Sequence, residues 1–515
     1  NLTFYGSAHT TGTGSVDLYV QGHKVKFGSN IIMDRYIKNG TLPDFDIYGG
    51  WRKPNEQYSV AANTPTIEIN SGQFNKIIMG NGMGTNAVSN LQNTTSNNIM
   101  GSSSASFGGT VTVDYTGKMK QEDIGLIAGG NEIGTIYSNA IINIKNGNVG
   151  KIIGGNYADS SNRPTSWAYP LNTFIGTSTI NITGGQIENI IGASYGRNVN
   201  GTTIKSDAYY YGTINIKISG GTINSDIYGA GVGSTTGYNT NSSDAYKSYG
   251  ANVTTSTNIN ISGGTIKGNV YGGGYAYSEN LTEAQQQLDS GALYGNSNVI
   301  VNGSPTINGD IYGSGKGYNY STVPNNSKMI GNTTVTISGT PTIGSGKIIY
   351  GAGNGLALST TAGLTGNTTI NMNATINKSV YGGGNSANVI GNTNVNLSAS
   401  NNLAIHGGGK GTGKVSLKSS VNINNGTYGT IYGGGQNNVR ETSIIATGGQ
   451  ASYIYGGGIN ANSVTTKSNV NIKGTKIIGM VCGAGGANST TTTTNVTLTS
   501  SSATIPTVYG GSRVA

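Results

Sequence analysis

The chain has 515 residues, of which 86 are glycine and only 10% are charged, and its formal net charge at pH 7 is +9. Its apolar stretches are far shorter than the roughly 20 residues that cross a membrane, and its Lys and Arg residues stand singly instead of forming the basic patch of a nucleic-acid-binding surface. Cys482 is the only cysteine, so an intramolecular disulfide is excluded.

Residues 1–46 are the least regular part of the sequence. They contain one plausible strand, 16–20, followed by a charged stretch that includes Lys24, Lys26 and Asp34. The first coil of a repeat protein has no neighbour on its outer side, so its sequence is usually atypical and more polar. We therefore predict a cap-like N-terminal segment over 1–46.

From residue 47 to residue 511 one short phrase recurs fifteen times, with Ile or Val first and Gly two residues later. The clearest copy is NINISGGTIKGNVYGGGY, which begins at Asn258, and the middle residue of the phrase is Tyr in nine copies. Such a strict repeat is typical of a solenoid. The first residues of the copies are Ile47, Ile78, Ile127, Ile152, Ile190, Ile227, Val270, Ile311, Ile349, Val380, Ile405, Ile431, Ile454, Val481 and Val508.

Each copy alternates apolar and polar residues between glycine corners, which indicates short strands with one buried face. One corner lies between the first two strands, one follows the Tyr slot, and a third precedes the first strand, so a coil has three segments. We predict an all-β fold, a roughly triangular parallel β-helix of about 15 coils, as a single domain over 47–511. In the Asn258 copy the predicted inward residues are Ile259, Ile261, Ile266 and Val270.

The spacing between copies falls to 23–27 residues where the coils are bare, and the excess elsewhere is inserted sequence. We predict decorated coils over 47–381, with polar loops such as 85–110, 156–176, 205–212 and 243–250 along one edge, and near-bare coils over 382–511. Residues 280–291 carry the capping signals of one short helix. Residues 512–515 stop in mid-coil as a truncated or continuing end, which predicts that a following segment or another subunit covers it.

The glycine triplets after the Tyr slot have a structural explanation. They lead into Asn- and Thr-rich loops and never into a helix with a Lys-Ser or Lys-Thr pair, so they are not phosphate-binding loops. We expect these glycines to supply a positive φ at a tight corner.

Tyrosines in a register-locked slot should stack from coil to coil. We predict such a ladder, directed away from the core, which either offers sugars a stacking stripe or stiffens a corner beneath the insertions. Its members are Tyr228, Tyr271, Tyr312, Tyr350 and Tyr381.

A second set of tyrosines lies in the inserted sequence. Tyrosine is a favoured recognition residue, so these side chains are candidates for ligand contact, although loops also pack on their own scaffold. The candidates are Tyr209, Tyr210, Tyr211, Tyr246, Tyr249, Tyr275 and Tyr277.

Acidic residues do not converge in the sequence. Asp46, Asp226 and Asp310 share one slot, two residues before a Tyr-slot position, and the three histidines lack ligand spacing. Catalysis or metal binding requires a convergent cluster. We therefore predict no catalytic residue, no metal and no cofactor.

The GGTI and YGGG phrases, with Asn and Thr at outward positions, resemble the repeat regions of microbial surface and secreted β-helix proteins such as autotransporter passengers and large adhesins. The resemblance covers about 47–511 and concerns architecture. It implies a parallel β-helix displayed outside the cell and carries over no catalytic residue.

These observations predict a non-enzymatic extracellular structural protein, a surface rod or a subunit of a self-assembling filament or sheath. The expected partners are copies of the same chain, end to end or side by side, and glycans or a neighbouring cell surface reached through the Tyr-rich loops. The alternative is a carbohydrate-active β-helix enzyme of the polysaccharide lyase or hydrolase type, which would need a cluster of acidic side chains on one face.

Overall fold

The structure is a computed structural model. It describes residues 2–4, 8–10, 16–29, 31, 33–35, 45–50, 65–80, 101–107, 124–132, 136–158, 172–196, 208–234, 253–277, 291–320, 323–325, 327–355, 363–486, 488–499 and 505–512.

The described residues form an all-β parallel β-helix without helices. They belong to two units: Asn1–Thr255, Gly263–Lys267 and Ser278–Leu281 make up unit 1, and Ser256–Ser262, Gly268–Tyr277 and Thr282–Ala515 make up unit 2. The single domain over 47–511 stays a prediction. None of the described segments forms a helix long and apolar enough to span a bilayer.

Unit 1 consists of short strands that pair in parallel with the equivalent strands of adjacent coils. They are β1 (Leu2–Phe4), β2 (Ala8–Thr10), β3 (Val16–Tyr19), β4 (Lys24–Phe27), β5 (Met33–Arg35), β6 (Phe45–Tyr48), β7 (Thr66–Ile69), β8 (Phe74–Ile78), β9 (Gly101–Phe107), β10 (Ile124–Ala128), β11 (Ile136–Ile144), β12 (Asn148–Ile153), β13 (Tyr157–Ala158), β14 (Asn172–Ile175), β15 (Ser178–Ile182), β16 (Gln186–Ile191), β17 (Tyr195–Gly196), β18 (Ala208–Tyr211), β19 (Ile214–Ile218), β20 (Thr222–Ile223), β21 (Ile227–Tyr228), β22 (Val232–Ser234), β23 (Val253–Thr254) and β25 (Thr265–Ile266).

Unit 2 repeats the same plan, with one antiparallel pair, β32 with β33, among its described strands. Its strands are β24 (Thr257–Ile261), β26 (Val270–Tyr271), β27 (Tyr275–Tyr277), β28 (Leu293–Tyr294), β29 (Ser297–Val301), β30 (Thr306–Ile307), β31 (Ile311–Tyr312), β32 (Tyr318–Tyr320), β33 (Val323–Asn325), β34 (Met329–Ile330), β35 (Thr333–Ile337), β36 (Thr342–Ile343), β37 (Ile348–Tyr350), β38 (Leu364–Thr365), β39 (Thr368–Met372), β40 (Ser379–Tyr381), β41 (Val389–Ile390), β42 (Thr393–Leu397), β43 (Ile405–His406), β44 (Val415–Ile423), β45 (Thr427–Tyr432), β46 (Val439–Ala446), β47 (Gln450–Tyr455), β48 (Val464–Ile472), β49 (Lys476–Cys482), β50 (Thr490–Leu498) and β51 (Thr507–Tyr509).

The predicted repeat register is confirmed in unit 2. Val270 pairs with Ile311, Ile311 with Ile349, and the series continues to Val481 with Val508. The four predicted inward residues Ile259, Ile261, Ile266 and Val270 are buried. The apolar columns therefore form the core because each coil places the same parity inward.

One copy in unit 1 was assigned wrongly. Ile77, and not Ile78, pairs with Ile47 and with Ile127. Ile78 consequently fills the Tyr slot and Met79 the position that is Gly elsewhere. The sequence IIMG places Ile77 and Ile78 side by side, so its alternation allows either residue to be the inward one. Choosing the wrong one shifts the register by one residue and reverses the face of every side chain.

Parallel pairing also occurs upstream of residue 47. In the predicted cap-like segment 1–46, the predicted strand is confirmed as β3, which pairs with β6 and places Leu18 beside Ile47 and Tyr19 beside Tyr48. β4 pairs with both β1 and β7.

Three predicted insertions are partly regular strand. Residues 101–107, predicted as loop, form β9, in which the buried Ala105 pairs with Ile67 and Ile142. The segment was misassigned because GSSSASF has no β-branched residues. Strands β14 and β18 likewise lie within the predicted loops 156–176 and 205–212. The loop 243–250 and nearly all of the predicted helix 280–291 fall outside the described residues.

Glycines serve two different purposes. The second glycine of the Gly-Gly corner between the first and second strands has a positive φ, 78° at Gly221 and 79° at Gly264, where other residues are strained. The glycine after the Tyr slot is not in that region. A Cβ at Gly407 would lie 2.4 Å from the carbonyl oxygen of Gly433 and 2.1 Å from Oγ of Ser419. The prediction of a positive φ at this slot is therefore wrong, and close approach of the next coil leaves no room for a Cβ at Gly407.

The same close approach allows a hydrogen bond across several of the coils in unit 2. The hydroxyl of Thr333 donates to the carbonyl oxygen of Gly351 at 2.5 Å, and Thr368 donates to Gly382 at 2.5 Å. Ser419 donates to Gly433 at 2.6 Å. Each of these residues lies four positions before the last residue of a first strand and is buried, so the bond ties the first strand to the glycine that follows the Tyr slot.

Gly407→Ala should destabilise unit 2 because its methyl group would overlap the adjacent coil, an overpacking that typically costs about 1–3 kcal/mol. Gly510→Ala is a matched control, since this glycine occupies the equivalent slot and has nothing within 4 Å of a Cβ. Urea unfolding of the full chain measures both. Equal midpoints for the two variants would show that close approach does not explain the glycine.

Candidate functional site

The structure places the first three candidate binding tyrosines in a strand. Tyr209, Tyr210 and Tyr211 form most of β18, which pairs with β14 and β23. Tyr210 is fully buried, whereas Tyr211 is 45% exposed. Of these three rings, Tyr210 therefore belongs to the core, and Tyr211 is the one best placed to meet a ligand.

Both the ring and the hydroxyl group of Tyr210 have partners. Its ring stacks on Phe174 with a centroid distance of 4.8 Å, and its hydroxyl lies 3.2 Å from the carbonyl oxygens of both Gly176 and Thr213. Burial raises the pKa of its phenol. A buried aromatic ring with a satisfied hydroxyl is a packing residue, and the YYY run gave no signal of this because the strand was taken for an insertion.

Tyr275 is half-buried in β27, and the Nζ atom of Lys316 lies 4.7 Å from its ring centroid and 5.7 Å from that of Tyr271. The cation therefore covers part of this aromatic pair. The side chain of Tyr277 and the whole of Tyr246 and Tyr249 lie outside the described residues, so their roles stay predictions.

The predicted ladder forms a continuous ring stack in unit 2. Tyr271 stacks on Tyr312 at 4.8 Å, Tyr312 on Tyr350 at 4.7 Å, and Tyr350 on Tyr381 at 5.8 Å. These rings are buried, as is that of Tyr228 in unit 1. Burial raises the pKa of Tyr381 to about 12. Because the ring faces are shared between coils and the edges are covered, the ladder serves packing rather than sugar stacking.

A histidine continues the stack. The imidazole of His406 lies 4.3 Å from the ring of Tyr381 and 4.9 Å from that of Tyr432, nearly parallel to both. The residue is buried, and its Nδ1 atom has no hydrogen-bond partner within the described structure. Burial lowers the pKa of His406 to about 3, so the ring is neutral at pH 7.

Each of the three aspartates in the shared slot accepts a hydrogen bond from the tyrosine two residues later in the chain, including Asp46 from Tyr48. The phenol of Tyr228 donates to Oδ2 of Asp226 at 2.9 Å, and that of Tyr312 donates to Oδ2 of Asp310 at 3.1 Å. Residues i and i+2 of a strand share a face, so an Asp-x-Tyr triplet predicts this bond. The signal was present in the sequence, and it indicates a structural role for these carboxylates.

Unit 1 also buries a charge cluster that sequence reasoning missed. Nζ of Lys76 lies 3.4 Å from Oδ2 of Asp46 and forms an ion pair with Glu132, and both carboxylates are almost fully buried. Burial alone would lower the pKa of Lys76, but the two carboxylates outweigh it and hold that pKa well above its ordinary value. Asp46 also accepts a bond from the side chain of Asn75. A lysine shared between two acids is a structural ion network.

Among the described residues, no three His, Cys, Asp or Glu side chains are grouped so that they could hold a metal ion. Comparisons with protein-family models, with curated proteins and with solved structures find no match for this chain.

Tyr210→Ala should remove a fully buried ring and lower the free energy of unfolding by about 3–5 kcal/mol. Tyr211→Ala, one residue away and exposed, should change it by less than about 0.5 kcal/mol. Denaturant midpoints of the full chain give both values. A larger loss for Tyr211→Ala than for Tyr210→Ala would contradict the assignment of faces.

His406→Tyr should flatten the acid dependence of stability. In the folded chain His406 has a pKa of about 3, below its unfolded value of about 6.5. Its contribution is complete above the unfolded value and is lost as the pH falls toward 3, by about 1.4 kcal/mol per pH unit. The variant inserts the ring that neighbouring copies carry and lacks this loss.

The measurement is the urea midpoint of the full chain across that pH range. His23→Gln is the control, because it also removes one histidine but at an exposed position outside the ring stack. If His406→Tyr loses stability as steeply as the parent, His406 does not titrate as inferred.

Proposed function

We propose that this chain is a non-enzymatic extracellular structural protein, a β-solenoid that acts as a surface rod or as a subunit of a self-assembling filament or sheath. The observation that carries the proposal is the hydrogen bonding of polar side chains between successive coils. In both units they bond from one coil to the next in columns, and a column that repeats is suited to extending a scaffold.

Two asparagine columns in unit 2 illustrate this use. The backbone N–H of Asn332 donates to Oδ1 of Asn296, that of Asn367 to Asn332, and that of Asn392 to Asn367, all at 2.8–2.9 Å. A separate column links Asn371, Asn396 and Asn422 through their amides at 2.8–2.9 Å. Stacked amides of this kind stabilise parallel in-register strands.

Titratable groups are used in the same way. Asp226 and Asp310 bind phenols of their own strands, and Lys76 joins two carboxylates from other coils. A hydrolase or lyase needs a base or acid that is free to reach substrate. The described carboxylates named here are instead occupied by structural partners, which supports the scaffold over the enzyme.

Self-association is supported by the outer surface of unit 2. Leu417 and Ile445 are exposed on first strands β44 and β46, and only 10% of the residues in the chain are charged. Apolar side chains on flat strands, with few charges to repel a neighbour, favour side-by-side packing. Contact with glycans or neighbouring cells through Tyr211 and Tyr275 forms the adhesive part of the proposal.

Light scattering and electron microscopy of the full chain test the assembly. We expect particles whose mean mass rises with concentration, and we expect Leu417→Lys with Ile445→Lys to lower that mass. The pair Lys473→Gln and Lys476→Gln is the control, since it removes charge and should not reduce assembly. A monodisperse monomer at high concentration would contradict a role as a filament or sheath subunit.

Two further measurements test location and chemistry. Protease added to intact cells that make the protein should cleave it, whereas protection until lysis would contradict an extracellular site. Purified chain incubated with polysaccharides should release no reducing ends or unsaturated products. Turnover that is lost on mutation of a carboxylate would establish the enzyme instead.

A further inference from the structure

Charge is distributed unevenly along the chain. Downstream of Asp310 there are twelve Lys and Arg residues and a single acidic residue, Glu441, whereas the first 310 residues hold 17 of the 29 basic and 19 of the 20 acidic residues. The excess positive charge therefore belongs to the later part of unit 2. A region of net positive charge attracts an anionic partner.

A groove of roughly 380 Å³ lies in this region. Its floor includes Val389, Val415 and Val439, which are buried and pair in register across successive coils. The groove therefore runs across the strands, in the direction in which the coils stack. A ligand that fills it contacts several coils at once.

The walls combine cations with apolar side chains. Lys414 and Arg440 line the groove with Ile390, which is 62% exposed, and Val464. No acidic residue lines it, and no ion pair within the described structure engages either cation. Two charged groups are therefore available to a ligand beside an apolar surface.

Two amides add uncommitted donors. Oδ1 of Asn388 accepts from the backbone N–H of Lys414 at 3.0 Å, and Oδ1 of Asn438 accepts from that of Val464 at 3.1 Å. These bonds fix the walls and leave the Nδ2 groups of both asparagines without a partner in the described residues. The groove thus presents hydrogen-bond donors as well as positive charge.

The chemistry of the walls selects among anionic polymers. A peptide cannot join as an added strand, because the backbone N–H groups of Val389 and Val415 already donate to the next coil. No aromatic side chain lines the groove, so nucleic-acid bases would have no stacking platform. Sugar rings carry an apolar face, hydroxyl groups and, in acidic polysaccharides, carboxylate or sulfate groups, and these match what the walls offer.

We propose that this groove binds a linear acidic polysaccharide along the stacking direction, with Lys414 and Arg440 engaging its carboxylate or sulfate groups and Ile390 and Val464 contacting ring faces. The site is separate from the tyrosines considered above. It does not rest on the scaffold function, since a groove of this kind would bind whether or not the chain assembles.

The test measures binding of the full chain to polygalacturonate, to dextran sulfate and to neutral dextran at matched polymer length. We expect one or both acidic polymers to bind and neutral dextran to bind at least about tenfold more weakly, with affinity falling as salt increases. Polygalacturonate and dextran sulfate separate a carboxylate from a sulfate preference. Equal binding of neutral dextran, or binding of none of the three, overturns the proposal.

Variants locate the site. Lys414→Glu with Arg440→Glu should weaken binding at least about tenfold, a loss of about 1.4 kcal/mol. Lys473→Glu with Lys476→Glu carries the same change of charge on exposed residues that do not line the groove, and it should weaken binding less than about threefold. Equal losses would show attraction by net charge alone and would overturn a groove site.

Ile390→Ala tests the apolar wall. It keeps every charge, so weaker binding that persists at high salt supports contact with ring faces, and unchanged binding contradicts it. Oligothymidylate and polyglutamate of equal charge test the other classes of partner. Tighter binding of either one than of both acidic polysaccharides would replace the proposed ligand. Circular dichroism and melting of each variant confirm that it is folded.

Discussion

The structure depends on close contact between successive coils at the glycine after the Tyr slot. The carbonyl oxygen of Gly433 occupies the space where a Cβ of Gly407 would lie, and Gly456 does the same for Gly433. Parallel strands pair about 4.8 Å apart, and this glycine lets the backbone keep that spacing through a corner. Aromatic rings in the preceding slot consequently stack at 4.7–4.8 Å from Tyr271 to Tyr350.

The same spacing determines which polar groups the coil can hold. Any side chain in a fixed slot meets its own equivalent in the next coil, so an amide or an aromatic ring is favoured and a repeated charge is not. Where charge is buried in unit 1, it is compensated, as at Lys76 between Asp46 and Glu132. His406 takes a Tyr slot only as a neutral ring.

Periodicity in the sequence predicted the fold because the slots of Val270, Ile311 and Ile349 repeat without ambiguity. It failed where that signal weakened. IIMG allowed two registers at Ile77, and β9 reached the interior through Ala105 without any β-branched residue. The candidate tyrosines were located less well, since a run of polar and aromatic residues does not reveal whether it is an insertion or the strand that places Tyr210 inside.

The inserted loops of the decorated coils add surface that the core does not need, so the sequence predicts the functional surface there. The bare coils have a different advantage. Outward residues that make no bond between coils, such as Lys414, Arg440 and Ile390, can differ from coil to coil. Val389, Val415 and Val439 keep the register beneath them. At the proposed site, an in-register floor with variable walls would hold a polysaccharide over several coils, and a preformed surface loses little entropy on binding. Specific recognition can therefore arise on a solenoid without any insertion, wherever outward positions depart from the repeat.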